Sequence, residues 1–316
     1  MGLHHDHRPT SRSGTPERGA AAAQTNLRVA QLSVITATTL AVLKLGAVVL
    51  TGSLAIAAAL ADSVMDIIAS SVNFFAVRLA GQPADEEHRY GHGKAEGIAG
   101  LAQGLLVAFV GLFLLVEGAS RLTARTYEMD YTDVGIAVML ISLFASAWIG
   151  WLLLRTGRRT GSVALQADAA HYTSDVWMNL GVLGSLVAVR LTGAHWVDGA
   201  VSCAVAVVVL FTAYRVLRRS ADELMDVSLP DEEHERILGV IRTAVPEARD
   251  IHNLRTRKSG PDVFVDMHVA FDRNLSFPEA HLLSERVQTV VSEAIPGAQV
   301  HVHADPHPFL PEDGVD

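Results

Sequence analysis

The chain has 316 residues, half of them hydrophobic, a formal net charge of −9 and a single cysteine. That is too apolar for an ordinary soluble protein and suits a membrane protein with a soluble part. Cys203 alone allows neither an intramolecular disulfide nor a cysteine-based metal cluster, and the acidic balance excludes a basic nucleic-acid footprint, so no nucleic-acid partner is expected.

Residues 1–26 begin "MGLHHDHRPTSRSGTPERG". This stretch is polar, lacks the apolar run of a signal peptide, and is read as a disordered tail. Its "HHDH" is a weak signal for loose metal chelation.

Residues 27–220 are read as a six-span transmembrane domain. A spanning helix needs about 20 apolar residues to cross a hydrocarbon core of roughly 30 Å. Six segments qualify: Leu27–Leu50, Ser53–Ala80, Gly97–Ser120, Thr132–Arg155, Ser162–Leu191 and Val197–Leu217. "TGS" at Thr51–Ser53 joins the first two as a tight turn. Basic residues fix the orientation. The amino tail, the second and fourth loops and the carboxyl part carry most of them, among them Arg78, Arg89, Lys94, Arg155, Arg158, Arg159, Arg215, Arg218 and Arg219. The opposite side has Arg121, Arg125 and Arg190. Both termini are therefore expected in the cytoplasm, with the spans in the cytoplasmic (inner) membrane. Lys44, about two turns from the outer end of the first span, is expected to snorkel outward.

Residues 221–308 are read as a soluble domain, with a tail at 309–316. From Ala221 onward there are 19 Asp and Glu against 8 Lys and Arg, a balance of −11 that leaves about +2 elsewhere. "LPDEEHERILGVIRTAV" has helical apolar spacing at Ile237, Val240, Ile241 and Val245. "DIHNLRTRKSGPDVFVDMHVAFD" reads as two strands about the turn "KSGPD". "SFPEAHLLSERVQTVVSEAI" is a second amphipathic helix and "AQVHVHAD" an alternating strand. The order αββαβ predicts a small α+β domain with its helices on one face of a sheet.

Charges at bilayer depth are costly and commonly functional. Asp62 and Asp66, at i and i+4, share one face of the second span, and "AHYTSDVW" puts His171 and Asp175 at the same spacing in the fifth. With a rise of 1.5 Å per residue, Asp62 lies ~13 Å and Asp66 ~19 Å from the outer end of their span. His171 and Asp175 lie ~13 and ~19 Å from the inner end of theirs. All four thus fall near the midplane, with Asp62 level with Asp175 and Asp66 with His171. Three carboxylates and an imidazole make a four-ligand site for a borderline dication. Like charges resist joint ionisation without the metal, so metal binding and proton release are coupled. The competing reading is that these polar groups only hold helices together. Asp168 and Asn179 in the fifth span suit that role, but two i,i+4 pairs at one depth do not.

Two further histidine groups lie outside the spans. In "PADEEHRYGHGKAEG", Asp85, His88 and His92 have a spacing able to hold one metal on a turn or loop; a solvated charged loop is the alternative. In the carboxyl domain, His252, His268, His281, His303 and Asp305 come from separate elements, so sequence alone does not bring them together. His301 shares a strand face with His303, as either a ligand or a bystander.

The stretches "TGSLAIAAALADSVMDIIASSVNFFAVR", "QPADEEHRYGHGKAEGIAGLAQ", "ADAAHYTSDVWMN", "LPDEE", "HNLRTRKSG" and "VHVHADP" together resemble the cation diffusion facilitator family, in particular its bacterial ferrous-iron/zinc efflux branch. The resemblance runs from about Leu27 to Pro306. It implies a homodimer of six-span protomers in the bilayer, each with a ferredoxin-like cytoplasmic domain for metal binding and dimerisation. It also implies three metal centres: a transport site at Asp62, Asp66, His171 and Asp175, a loop site at Asp85, His88 and His92, and a domain site at His252, His268, His281, His303 and Asp305. A charge interlock of Lys94 with Asp226 is implied near the membrane surface. Where this branch often has a polar residue between the last two domain ligands, Ala304 offers only its backbone carbonyl.

The resulting expectation is a transporter, not an enzyme: a divalent-cation exporter that uses protons as counter-substrate and works by alternating access. Metal at the cytoplasmic domain would stabilise the dimer and tune transport. Zn²⁺ is the first choice because four-coordinate N/O sites suit it; Fe²⁺, Cd²⁺, Co²⁺ and Mn²⁺ stay open. The alternatives are a membrane-bound metal sensor or scaffold, which needs no intramembrane ligands, and a cation channel, which needs weak sites.

Overall fold

The computed structural model describes residues 16–51, 54–123, 133–192, 196–295 and 297–307. The amino-terminal histidine run, Gly52 and Ser53 of the expected turn, Arg125 and the tail at 309–316 lie outside them. Residues 23–225 form one compact unit, and the chain from Asp226 onward belongs to a second.

Six helices precede Asp226, and the first unit holds five of them whole and α1 from residue 23: α1 (Pro16–Thr51), α2 (Leu54–Ala80), α3 (Ala95–Thr123), α4 (Asp133–Thr160), α5 (Val163–Thr192) and α6 (Trp196–Leu224). Over its described residues each expected span is a helix, with α5 starting one residue later than expected, at Val163. α1 starts at Pro16, so the expected tail of 1–26 is shorter by residues 16–26. The local sequence accounts for this. "PERGAAAAQ" puts proline in the first turn, where its missing N–H costs nothing, and follows it with alanines, the strongest helix formers.

Five of these helices, α1, α2, α3, α4 and α6, are long and apolar enough to cross a membrane by length and composition. Their exposed side chains include Val49, Phe109, Phe113 and Phe144, a surface suited to lipid rather than water. α5 is as long and carries Asp168, His171 and Asp175 in its first half. It packs against α2, α3, α4 and α6, and Ala164, Leu165, Asp168, Ala169 and Tyr172 on it are all but inaccessible. A helix enclosed by other helices can carry polar residues that a lipid-facing one cannot. Ile149 and Leu153 of α4 close over it, with Ala30 and Val77 from α1 and α2.

α3 and α6 pack closely along their length. A Cβ at Gly104 would stand 2.8 Å from the Leu217 side chain, so this approach needs a glycine, as close-packed membrane helices commonly do. Near one end, the Arg121 guanidinium donates to Glu117 on its own helix and to Asp198 on α6, both at 3.0 Å.

The second unit follows the expected αββαβ order: α7 (Asp231–Ala244), β1 (Asp250–Ser259), β2 (Asp262–Asp272), α8 (Phe277–Ala294) and β3 (Ala298–His307). The strands lie in the order β1-β2-β3. β1 and β2 form an antiparallel hairpin and β2 and β3 pair in parallel. A parallel pair needs a long crossover, which α8 supplies. Ile237 and Ile241 of α7 and Val287 and Val291 of α8 pack on Val263, Val265, Met267, Val269 and Phe271 of β2. Both helices therefore cover one face. The other face is left to the alternate residues, His268 among them.

Candidate metal centre

Asp66 and Asp175 meet at His171. The His171 Nε2 lies 3.0 Å from Asp66 Oδ1 and 3.9 Å from Asp175 Oδ2. Candidate ligand atoms from all three lie within 4.8 Å of one another. A tetrahedral zinc ion with bonds near 2.0 Å sets its ligands roughly 3.3 Å apart, so this spacing suits a dication after small side-chain adjustments. His171 is buried and the two carboxylates are partly so.

Asp62 is not in this group, which departs from the expected four-ligand arrangement. Its side chain is exposed in the chain. One helical turn, about 6 Å of rise, separates it from Asp66, and Asp66 takes the position against His171. The expected level of Asp66 with His171 is therefore seen as a contact. The expected level of Asp62 with Asp175 is not.

Lys44 also departs from expectation. Rather than snorkelling outward, its ammonium donates across to α2, to the Ala59 carbonyl at 3.2 Å and the Ser63 hydroxyl at 2.6 Å. Those acceptors lie one turn apart and flank Asp62 in sequence. A charged head in an apolar layer gains more from two fixed acceptors than from a partial reach to the surface.

A polar cluster that sequence reasoning did not assemble lies beside this group. Ser33 of α1 donates to Asp168 Oδ2 at 2.8 Å. Ser70 of α2 lies 3.1 Å from the Tyr172 hydroxyl, and Tyr172 donates to the Ser33 carbonyl at 3.3 Å. All four side chains are buried. Asp168 thus joins α1, α2 and α5, in keeping with the helix-holding role. The signal was in the sequence as scattered hydroxyls, but Ser33 and Ser70 carry no spacing that points to Asp168. Asn179, the other residue read that way, donates to the Asp175 carbonyl of its own helix at 2.8 Å.

In the loop between α2 and α3, Asp85, His88 and His92 come together, their candidate ligand atoms within 4.8 Å. Asp85 Oδ2 lies 3.2 Å from His92 Nε2, and the two imidazole centroids are 4.7 Å apart. Asp85 also accepts the backbone N–H of His88 at 2.6 Å and of Glu87 at 3.0 Å. The His88 N–H holds its carboxyl below the usual aspartate range against the opposing effect of burial, with smaller contributions from the neighbouring imidazoles and the Glu87 N–H. Gly91, at φ 83°, turns the loop so that His92 comes back over Asp85. A side chain there would be strained. The Nδ1 of His92 is buried without a hydrogen-bond partner.

In the second unit the strand register lines up His252, His268 and His303 across β1, β2 and β3. Asp305 binds the group together. Its Oδ2 lies 3.3 Å from His252 Nε2 and 2.9 Å from His268 Nδ1, and its Oδ1 lies 3.4 Å from His303 Nε2. His252, His268 and Asp305 offer ligand atoms within 4.8 Å of one another. A bulge follows His252, with Asn253 at φ 51°. Such bulges re-aim neighbouring side chains, and asparagine tolerates this conformation better than most residues.

His281 is not brought to this group within the chain. It is exposed on α8, 3.5 Å from Glu285 and stacked on Phe277. α8 covers the face of the sheet opposite His268, so strand alternation separates them. His301 is exposed, in register with Asp266. Of the expected interlock pair, Lys94 donates to the Leu224 carbonyl at 3.3 Å and Asp226 accepts from Arg257 at 3.4 Å.

Residues 30–225 match the family model described as the cation efflux transmembrane domain, which includes α5, and residues 229–307 match the cation efflux protein cytoplasmic domain. The cation-efflux pump FieF of Citrobacter koseri is 38% identical over 287 residues, 91% of this chain and 95% of its own. FieF of Serratia proteamaculans is 40% identical over 83% of this chain and 86% of its own. A solved zinc form of the candidate zinc transporter CzrB is 32% identical, covering 26% of this chain and 93% of that one, with a TM-score of 0.25. The matched regions span nearly all of both units, and the chain belongs to the cation efflux, or cation diffusion facilitator, family.

Proposed function

We propose that the chain exports a divalent cation, Zn²⁺ first, across the cytoplasmic membrane in exchange for protons. The observation that carries this reading is the contact of Asp66 with His171 between two membrane helices, with Asp175 beside them. Two carboxylates and one imidazole held there bind a dication when deprotonated and release it when protonated. Asp62, one turn away, is the fourth ligand in the loaded site. The cation enters from the cytoplasm, the helices rock, protons from outside reload the carboxylates, and the cation leaves.

Both termini lie in the cytoplasm, as the distribution of basic residues supports. The protein works as a homodimer. The loop group at Asp85, His88 and His92 and the domain group at His252, His268, His303 and Asp305 bind metal on the cytoplasmic side. Metal on the domain group strengthens the dimer.

The test is metal uptake into inverted vesicles with an imposed pH gradient. Uptake that follows the gradient and competes in the order of metal affinity supports the exporter. A sensor or scaffold binds metal in the second unit and moves none. A channel passes metal regardless of the pH gradient. The relatives' description as cation-efflux pumps favours export over both.

A further inference from the structure

Lys44 lies within the apolar membrane-spanning part of α1. Its ammonium is fixed to α2 by the Ala59 carbonyl and the Ser63 hydroxyl. Ser63 directly follows Asp62 and is itself buried. Ala59, Asp62, Ser63 and Asp66 follow the i, i+3, i+4, i+7 spacing of one helix face, so the ammonium held by Ala59 and Ser63 stands on the face of α2 that carries both aspartates. α1 and α2 meet there through Ala47 and Ile56, an apolar setting in which charges act over longer range than in water.

Formal charge gives this contact a purpose. Asp62, Asp66 and Asp175 carry three negative charges when ionised. A bound dication leaves one uncompensated, and a buried net charge is costly to move through a low-dielectric layer. The ammonium of Lys44 cancels that remainder.

We propose that Lys44 is the built-in counter-cation of the transport site, a positioning residue that neutralises the loaded site and limits how tightly it holds a divalent cation. This rests on the exporter reading of the same site. A fixed positive charge near the site repels the incoming dication, so affinity is kept low enough for release. Without it the site holds the cation more tightly and lets go more slowly.

The test measures Zn²⁺ flux in proteoliposomes, and Zn²⁺ binding in detergent, for wild type and three variants. Lys44→Gln keeps a hydrogen-bond donor but loses the charge. Lys44→Met loses both at similar length. Lys44→Arg keeps the charge. The expected result is a fall in KM and in dissociation constant on the order of tenfold for Lys44→Gln and Lys44→Met, with a slower maximal rate. Lys44→Arg is expected to stay near the wild-type KM. A purely structural lysine would lower the yield of folded protein and leave KM in the surviving fraction unchanged. Wild-type binding and KM in Lys44→Gln would overturn the proposal, and so would weaker binding. If Lys44→Met fails to fold, Lys44→Gln decides. Absence of flux in the wild type would overturn the exporter reading instead, and the binding constants would still decide the role of Lys44.

Discussion

Asp66 and His171 lie 105 residues apart in the chain, and their side chains meet at 3.0 Å between α2 and α5. Removing either partner strips a candidate ligand from the transport site. Asp66→Ala and His171→Ala should each weaken metal binding beyond the ~10–100-fold that loss of a supporting partner costs. Equilibrium binding of Zn²⁺ to purified protein measures this, and wild-type affinity in both variants would dismiss the site.

Asp62 is expected to matter for metal although it stands one turn from the group. Asp62→Asn removes a ligand charge and keeps the shape, so it should cut metal affinity at least tenfold and leave the melting temperature near wild type. An unchanged affinity would reduce the site to the three residues already in contact.

The hydroxyls around Asp168 should behave differently, because they join helices. Ser33→Ala leaves a buried carboxylate oxygen short of a donor. A buried polar group left unsatisfied costs about 1–3 kcal/mol. Thermal unfolding of the variant in detergent should start at lower temperature, with the metal dissociation constant little changed. A strong loss of metal affinity with unchanged stability would move this cluster into the transport site.

Asp85 should titrate below the ordinary aspartate value of 3.8, since the His88 N–H and the charges beside it favour its ionised form. A carboxyl depressed in the folded state adds order to its loop at pH above that ordinary value. The contribution is lost as pH falls through the lowered value. A ¹³C NMR titration of the Asp85 carboxyl reads the shift, and a midpoint at or above 3.8 would contradict it. Asp85→Ala should also release the His88 N–H and loosen His92.

In the second unit, Asp305 touches His252, His268 and His303, while the core of Val265, Met267, Val287 and Val291 lies on the opposite face. Asp305→Ala should therefore abolish metal binding by this group with little change in circular dichroism. Loss of the fold would mean that the carboxylate serves structure first.

Much of this was legible because helices and strands have fixed periods. The i,i+4 spacing of Asp62 with Asp66 and of His171 with Asp175, together with depth along antiparallel spans, predicts the meeting of Asp66 with His171. Strand alternation likewise predicts that His268 faces away from the helices of its domain. What stayed hidden depends on rotation and reach rather than period. Asp62 and Asp66 share a face, yet the sequence does not say which of them fills the position opposite His171. Lys44 has a stem long enough to reach either the surface or α2, and the acceptors at Ala59 and Ser63 decide between them. The bulge at Asn253 and the clustering of Ser33 and Ser70 on Asp168 arise from tertiary packing that no local pattern encodes.

The central claim is that metal crosses the membrane through Asp66 and His171 in exchange for protons. Its most direct test records Zn²⁺ entry and lumenal pH together in proteoliposomes, for wild type and Asp66→Ala. The account predicts that Zn²⁺ entry in the wild type is matched by proton exit, and that both vanish in Asp66→Ala while the protein stays folded. Undiminished, proton-coupled Zn²⁺ transport by Asp66→Ala would contradict it.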